Sequence, residues 1–526
     1  MTLSLWYKSA AMKLNFFKTG VAICLLILLG GSILQTMGGS PNGWGVDDAF
    51  IPYRYAKNLE MGKGLVFNPG ERVEGYTNFL YVLLMAPAFW VTNNDGAYFF
   101  SVLLNLIFAS AAFLLLVGDL RRRLGESSAL AGAFLFALCL PLWVAVAWGL
   151  ETTMVLAVSI AVWVAVEQAV SEPTPRAIGL LCLAMVLSLL ARADGFIIVG
   201  VALFYLAMKR RFRALAVGAA VVIVTLAVYE LWRYTYYGYL LPNTFYAKVA
   251  GPIGPRIAHA YRQLSSIVIF EGLLPLLLII AFAWAEEIRK ARQGLWRFVE
   301  GIRFDLIFPL VWLAYWFYIG GDLYWDRFLI ILYPLGIFAL LKFFAGNAHG
   351  KILAFVVVAL ALMETAPPLR TDSRFQYQFD RYDCWIVTGK FLGENFPGKV
   401  LATGAIGKIP FFSGLITQDM LGLADPVLAH RSVTVKDFDP GSMKFDPDYT
   451  LSRKPDLIAN WIQQSLDMSY DLTREKYEKA GYRIRFLVYT GATRPPQSIV
   501  KVEGGDDATI QQWIAQGYNF AVLVRN

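Results

Sequence analysis

Long apolar runs, broken by short polar bursts, occupy most of the chain up to about residue 368. A helix needs roughly 17–25 apolar residues to cross about 30 Å of hydrocarbon. Runs of this kind fall near 19–37, 98–118, 129–148, 153–169, 177–191, 195–208, 214–232, 266–284, 305–319, 327–345 and 351–368. About eleven spans are therefore expected, some a few residues short, as packed bundles tolerate. The first run follows Lys8, Lys13 and Lys18 in the manner of a signal peptide. No A-x-A cleavage pattern comes after it and ten further spans do, so it reads as an anchor.

A shorter apolar stretch, Phe79–Trp90, fixes the orientation of everything after it. If it crossed, Arg121–Arg123, the Lys209–Arg213 burst and the five basic residues between Arg289 and Arg303 would lie outside, against the positive-inside rule. If it lies in the interface, these bursts and the N-terminal lysines share the cytoplasmic side. The second arrangement is expected, with the N-terminus inside and the C-terminus outside.

Beyond residue 369 the pattern changes to short strands, Lys399–Thr403, Leu415–Asp419, Ile484–Tyr489 and Phe520–Val524, mixed with helical patches such as Thr473–Ala480. The expected fold is a polytopic α-helical membrane protein with a transmembrane domain, 1–368, and an extracytoplasmic α/β domain, 369–526. The first outer loop, 38–97, carries juxtamembrane helices. Within the tail, GAIGK at Gly404–Lys408 is too short for a phosphate loop and lacks the Ser or Thr that holds magnesium, so it reads as a turn.

Composition narrows the class. Of 526 residues, 57% are hydrophobic, 15% aromatic and only 16% charged, which excludes disordered and coiled-coil chains. Cys24, Cys139, Cys182 and Cys384 are scattered without ligand or redox spacing and read as buried small hydrophobes. His259, His349 and His430 make no cluster either. The net charge of +8 sits in bursts between apolar segments, where it orients the chain, so no nucleic-acid partner is expected.

Candidate chemistry gathers in the loops expected to face outward. Asp47 and Asp48 begin an amphipathic helix that carries Arg54 and Lys57. Such a pair can cap the helix and complement its dipole, or it can take a proton from an alcohol. The same loop holds Glu74, Tyr76, Thr77 and Asn78. Later loops add Glu151 in GLETT, Arg192 and Asp194 in ARADG, Asn243 and Lys248 in PNTFYAK, and Asp322, Asp326 and Arg327 in GGDLYWDRF. Charges at the membrane edge must face a polar cavity or snorkel to the interface. Arg192, between two apolar runs, is the better placed to hold an anion. Carboxylates beside cations at the outer leaflet suit attack of an acceptor hydroxyl on a sugar carried by a lipid phosphate. No dinucleotide glycine fingerprint or D-x-D-type triad appears, which favours that donor over a nucleotide sugar. Two adjacent carboxylates are too few for a full oxygen cage, which favours a metal-independent site without deciding metal dependence, and no other cofactor is expected.

The segments DDAFIPYRYAKNL, GKGLVFNPGERVEGYTN, GLETT, ARADG, RYTYYGYLLPNTFYAK, GGD with its following RF, and IGKIPFFSGLITQDMLGLADPVLAH resemble the polyprenyl-phosphate-dependent glycosyltransferases of the GT-C class over about residues 44–460. Within that class they are most like the terminal arabinofuranosyltransferases of mycobacterial-type cell walls. ARADG departs from R-P-E-G, which is more frequent in such relatives. The resemblance implies a GT-C fold, a catalytic Asp at Asp47 or Asp48, and donor-phosphate contacts from Arg192, Lys248 and Arg327. Arg54, Glu74, Tyr76, Asn78, Glu151, Asn243 and Asp322 are then expected to touch sugar or acceptor. It also implies a bacterial cytoplasmic membrane location, a lipid-linked donor in the bilayer and a glycan or protein acceptor. The expected reaction is transfer of D-arabinofuranose to an acceptor hydroxyl on the outer face. Transfer of another sugar, to lipid, polysaccharide or protein, is the alternative. A flippase of lipid-linked sugars is the alternative of another class, but it should carry charge within its spans and related halves, and no repeat is visible.

A cysteine label at 121–123, 209–213 or 289–303 is expected to react from the cytoplasmic side, and one placed after 369 from outside. Labelling of Arg121–Arg123 positions from outside would mean that Phe79–Trp90 crosses.

Overall fold

The computed structural model describes residues 2–38, 45–249, 252–270, 273–291, 294, 301–322, 324, 327–345, 383–432, 438, 441, 443–491, 495–502 and 504–526. The expected span 351–368, Asp326 and His349 lie outside them, and the basic stretch 289–303 lies partly outside.

Among the described residues four helices are long and apolar enough to cross a membrane, with apolar segments at Asn15–Met37, Asn94–Leu124, Thr152–Ser171 and Phe212–Tyr237. The pair Glu126–Ala137 and Leu140–Trp148, bent by 51°, makes a fifth if it is one span. Pro175–Ala191, Gly195–Met208, Phe304–Ile319 and Leu332–Ala345 are shorter apolar helices at positions where spans were expected. The run expected near 266–284 overlaps two helices, Ile253–Phe270 and Leu273–Ala291, and residues 271–272 lie outside the described residues. Pro275 falls in the first turn of the second, where a missing N–H breaks no helical hydrogen bond. Phe79–Trp90 forms two short pieces, Phe79–Met85 and Ala88–Val91. At 1.5 Å per residue neither approaches the bilayer thickness.

These helices bury one side against each other and leave an apolar side outward, as lipid-facing helices do. On Asn94–Leu124 the exposed residues Phe99, Leu103, Ile107 and Leu114 follow helical spacing, while Tyr98, Val102, Ala109, Ala112, Phe113 and Leu116 are buried. Exposed apolar stripes of this length are what a bilayer covers. The chain is a multi-pass membrane protein with a small C-terminal sheet domain.

That domain is one mixed sheet of six strands: β1 (Val400–Thr403), β2 (Ile416–Asp419), β3 (Leu457–Trp461), β4 (Tyr482–Val488), β5 (Ile499–Lys501) and β6 (Phe520–Arg525). Their order is β2-β1-β3-β6-β4-β5, with β1 parallel to β2 and β3 and the remaining pairs antiparallel. Two of these strands, β3 and β5, were not expected from the sequence. The central strand β3 is buried from Leu457 to Asn460, so it has no in-out alternation to betray it. The short helix Arg474–Lys479 matches the expected patch.

Polar side chains tie the domain to the first outer loop. Arg54, buried on the helix Phe50–Glu60, donates to Phe67 O at 2.7 Å, Asn68 Oδ1 at 3.0 Å and Leu415 O at 2.7 Å, and also to Pro410 O. Asn68 in turn donates to Thr417 O at 2.8 Å and accepts from Thr417 N at 3.0 Å. Burial pushes the Arg54 guanidinium down to about 10, and four hydrogen bonds, three of them to backbone carbonyls, compensate for the lost water.

Candidate active site

The first outer loop enters the site through one tight turn. Val46 N donates to Trp148 O at 3.1 Å, which holds the loop on the helix end. Asp47–Ala49 then forms a single 3-10 turn leading into Phe50–Glu60. At three residues per turn, neighbouring side chains diverge by about 120°. The two adjacent carboxylates therefore point to different places. Asp48 lines a cavity of about 680 Å³ between the helix ends. Asp47 does not line it: its Oδ2 accepts from Gly407 N at 3.0 Å and its Oδ1 from Lys408 N at 2.7 Å.

The cavity collects charged residues from several of the loops expected to face outward. Besides Asp48 it is lined by Tyr76, Asn78, Glu151, Arg192, Lys248, Asp322 and Arg327. Lys248 Nζ lies 3.5 Å from Asp48 Oδ2. Arg192 reaches Asp194, with Nε to Oδ1 at 2.9 Å, and stands 3.6 Å from Glu151 Oε1. Glu151 Oε2 also accepts from Asn78 Nδ2 at 2.7 Å. Arg327 makes a two-pronged contact with Asp322, at 2.8 and 3.0 Å, and Arg192 lies over the Phe328 ring at 3.7 Å. A forked guanidinium–carboxylate pair holds both planes in place. Asp48 and Lys248 have side chains 20% and 29% exposed, against 6% and 4% for Arg192 and Glu151, so the first pair marks the solvated end. Phe196, Ile197, Phe245, Val311 and Ile319 form an apolar wall.

Other expected site residues stand elsewhere. Arg54 and Asp47 bind the C-terminal domain. Glu74, buried, pairs with Arg233 at 3.0 Å. Asn243 donates to Gly422 O at 2.8 Å and Leu423 O at 3.0 Å, and its backbone N–H bonds Glu74 O at 3.0 Å. None of the four lines the cavity; each instead joins two segments of the chain. The sequence reading missed Thr244 and Tyr315, which do line it. Thr244 Oγ1 is buried with no hydrogen-bond partner among the described residues. Its place inside PNTFYAK, one residue after Asn243, was the available signal. Among the described residues no group of three or more His, Cys, Asp or Glu is placed to hold a metal ion.

Helix bundle, outer-loop cavity and appended sheet domain together define the architecture, and the chain has the GT-C fold. It resembles the structure of ArnT from Cupriavidus metallidurans bound to undecaprenyl phosphate, at TM-score 0.57 and 12% identity, over 97% of this chain and 98% of that one. It also resembles the Archaeoglobus fulgidus oligosaccharyltransferase AglB in complex with an inhibitory peptide and a dolichol-phosphate, at TM-score 0.55 and 13% identity, over 79% and 65% of the two chains. In sequence, 236 residues are 27% identical to a terminal β-(1→2)-arabinofuranosyltransferase of Mycobacterium tuberculosis; the match spans 42% of this chain and 37% of that relative. Residues 371–509 match a family described as a domain of unknown function, DUF8728.

Three carboxyls around the loop are pushed up by burial: Asp47 to about 6, Asp419 to about 6 and Glu74 to about 7. Backbone N–H groups oppose the shift at Asp47 and Asp419, and Arg233 opposes it at Glu74. A carboxyl raised above its unfolded value leaves the native state binding more protons than the unfolded chain, so stability falls as pH rises through that window. Thermal unfolding in detergent is expected to shift to lower temperature between pH 5 and pH 7.5, and Glu74→Gln to flatten the slope. A midpoint that rises over this range contradicts the assignment.

Proposed function

We propose that this chain is an integral membrane glycosyltransferase that moves a sugar, D-arabinofuranose first among candidates, from a polyprenyl phosphate to an acceptor hydroxyl on the outer face of the bacterial cytoplasmic membrane. The observation that carries the reading is the meeting of Asp48, Lys248, Arg192 and Arg327 around one cavity that is also lined by apolar side chains. The apolar wall suits a lipid tail and the cations suit its phosphate. The names of the similar proteins point the same way: one transfers terminal arabinofuranose, and the ArnT and AglB structures hold undecaprenyl phosphate and dolichol-phosphate.

In this reading Asp48 is the base. It takes the proton from the acceptor hydroxyl as the new glycosidic bond forms and the sugar–phosphate bond breaks. The polyprenyl phosphate leaves with the bonding electrons, and cations next to low-dielectric lipid stabilise its charge. Every cation already faces a carboxylate, so an entering phosphate must compete with one. Lys248 is the easiest to recruit, because its 3.5 Å contact with Asp48 is single and partly solvated. Recruiting it also frees Asp48 to accept a proton.

The experiment is to incubate the purified protein with a set of synthetic polyprenyl phosphate sugars and acceptors and to measure released polyprenyl phosphate. Asp48→Asn is expected to lower turnover roughly 10²-fold or more, the scale of general-base loss. Near-normal turnover in that variant would move the base elsewhere. Replacing a true phosphate ligand by Ala is expected to weaken donor binding by about 1.5–3 kcal/mol, with Lys248→Ala the largest effect of Lys248, Arg192 and Arg327. Wild-type donor affinity in all three variants would remove the lipid phosphate from this account.

A further inference from the structure

The stretch Gly404–Lys408 leads from β1 into the short helix Lys408–Ser413. Gly407 N and Lys408 N both donate to the Asp47 carboxylate, at 3.0 and 2.7 Å. The Lys408 ammonium is buried, donates to Gly45 O at 2.8 Å and pairs with Asp383. It also lies over the Phe50 ring at 5.6 Å. Phe50 meets Phe411 and Phe412 at 5.3 and 5.6 Å between ring centroids. Residues 45, 47 and 50 are thus gripped by one short segment of the C-terminal domain, and Asp48 lies inside the gripped stretch. A Cβ on Gly407 would stand 1.9 Å from Asp47 O, so the approach admits only glycine there.

We infer that this clasp is a positioning device for the reaction: Lys408 and the Gly407–Lys408 backbone hold Asp47, and through Asp47 they aim Asp48 into the cavity. The inference rests on the reading of Asp48 as the base. Asp47 and Asp48 belong to one 3-10 turn, so rotating or loosening the first displaces the second. A general base must stand within hydrogen-bond reach of the proton it removes, and a misplacement of about 1 Å can lower rate about 10²-fold. Lys408 itself lies outside the cavity lining. Its loss should therefore change turnover and leave donor binding alone.

Lys408→Met, Lys408→Arg and Asp47→Asn in the full chain test this, with Asn68→Ala as the comparison. Asn68 also ties the loop to the domain, through Thr417, but does not touch the Asp47 turn. Lys408→Met is expected to lower kcat about 30-fold or more, to keep affinity for polyprenyl phosphate within about 3-fold of wild type, and to raise hydrogen exchange over residues 46–50. Lys408→Arg should restore part of the turnover, and Asn68→Ala should keep kcat within about 3-fold of wild type. Wild-type kcat in Lys408→Met overturns the inference. Equal losses in Lys408→Met and Asn68→Ala also overturn it, as they would report general loosening. Loss of turnover in Asp47→Asn with none in Lys408→Met makes Asp47 the base and overturns it too. If Lys408→Met does not fold, Asp47→Asn against Asn68→Ala decides on the same split of kcat from donor affinity. If wild-type protein transfers no sugar from any donor, the functional reading fails by itself. Exchange over 46–50 then still decides the clasp, and unchanged exchange in Lys408→Met overturns it.

Discussion

A charge taken out of water must be met by an opposite charge or by donors, and around the cavity at the end of this bundle that requirement governs the whole layout. Arg192 is held between Glu151 and Asp194, Arg327 forks onto Asp322, and Lys248 faces Asp48. Removing Arg192 or Arg327 leaves a buried carboxylate uncompensated, which is far worse than losing the pair as a unit. The pairs also join segments distant in the chain. Asn78 on the first loop holds Glu151, and Ala193 N donates to Thr77 O at 2.9 Å. The loops can enclose a polar cavity beside lipid because their charges neutralise each other across it.

Much of the membrane half was legible because a bilayer imposes one coarse rule, a minimum apolar length, on every crossing. The rule says less about breaks. The 51° bend after Ala137 depends on packing that no window average contains. In the sheet domain only β2 alternates between buried and exposed positions; the missed strand β3 has no wet face to mark it.

The cavity residues were legible for a related reason: a charge at a membrane edge is expensive to leave facing lipid, so it marks a polar interior. What could not be read was which polar residues would be spent on architecture. Arg54, Glu74 and Asn243 have the hydrogen-bonding capacity of substrate contacts and use it on carbonyls, a guanidinium and a neighbouring loop. Asp47 and Asp48 are chemically identical neighbours. They are told apart only by a turn geometry and by a partner 360 residues further along.

Asn68 shows what the first outer loop does for the sheet itself. Strand β2 is the last in the strand order, and among the described residues its outer row of backbone groups has no neighbouring strand. At Thr417 the Asn68 side chain supplies both an acceptor for the N–H and a donor for the C=O, as a partner strand would. A bare edge invites another chain to add on, and proteins guard against that by covering it. Here the guard belongs to the membrane half. Detached from it, the C-terminal domain would carry an open edge at β2 and the matching tendency to self-associate, so the two halves are bound by colloidal stability as well as by chemistry.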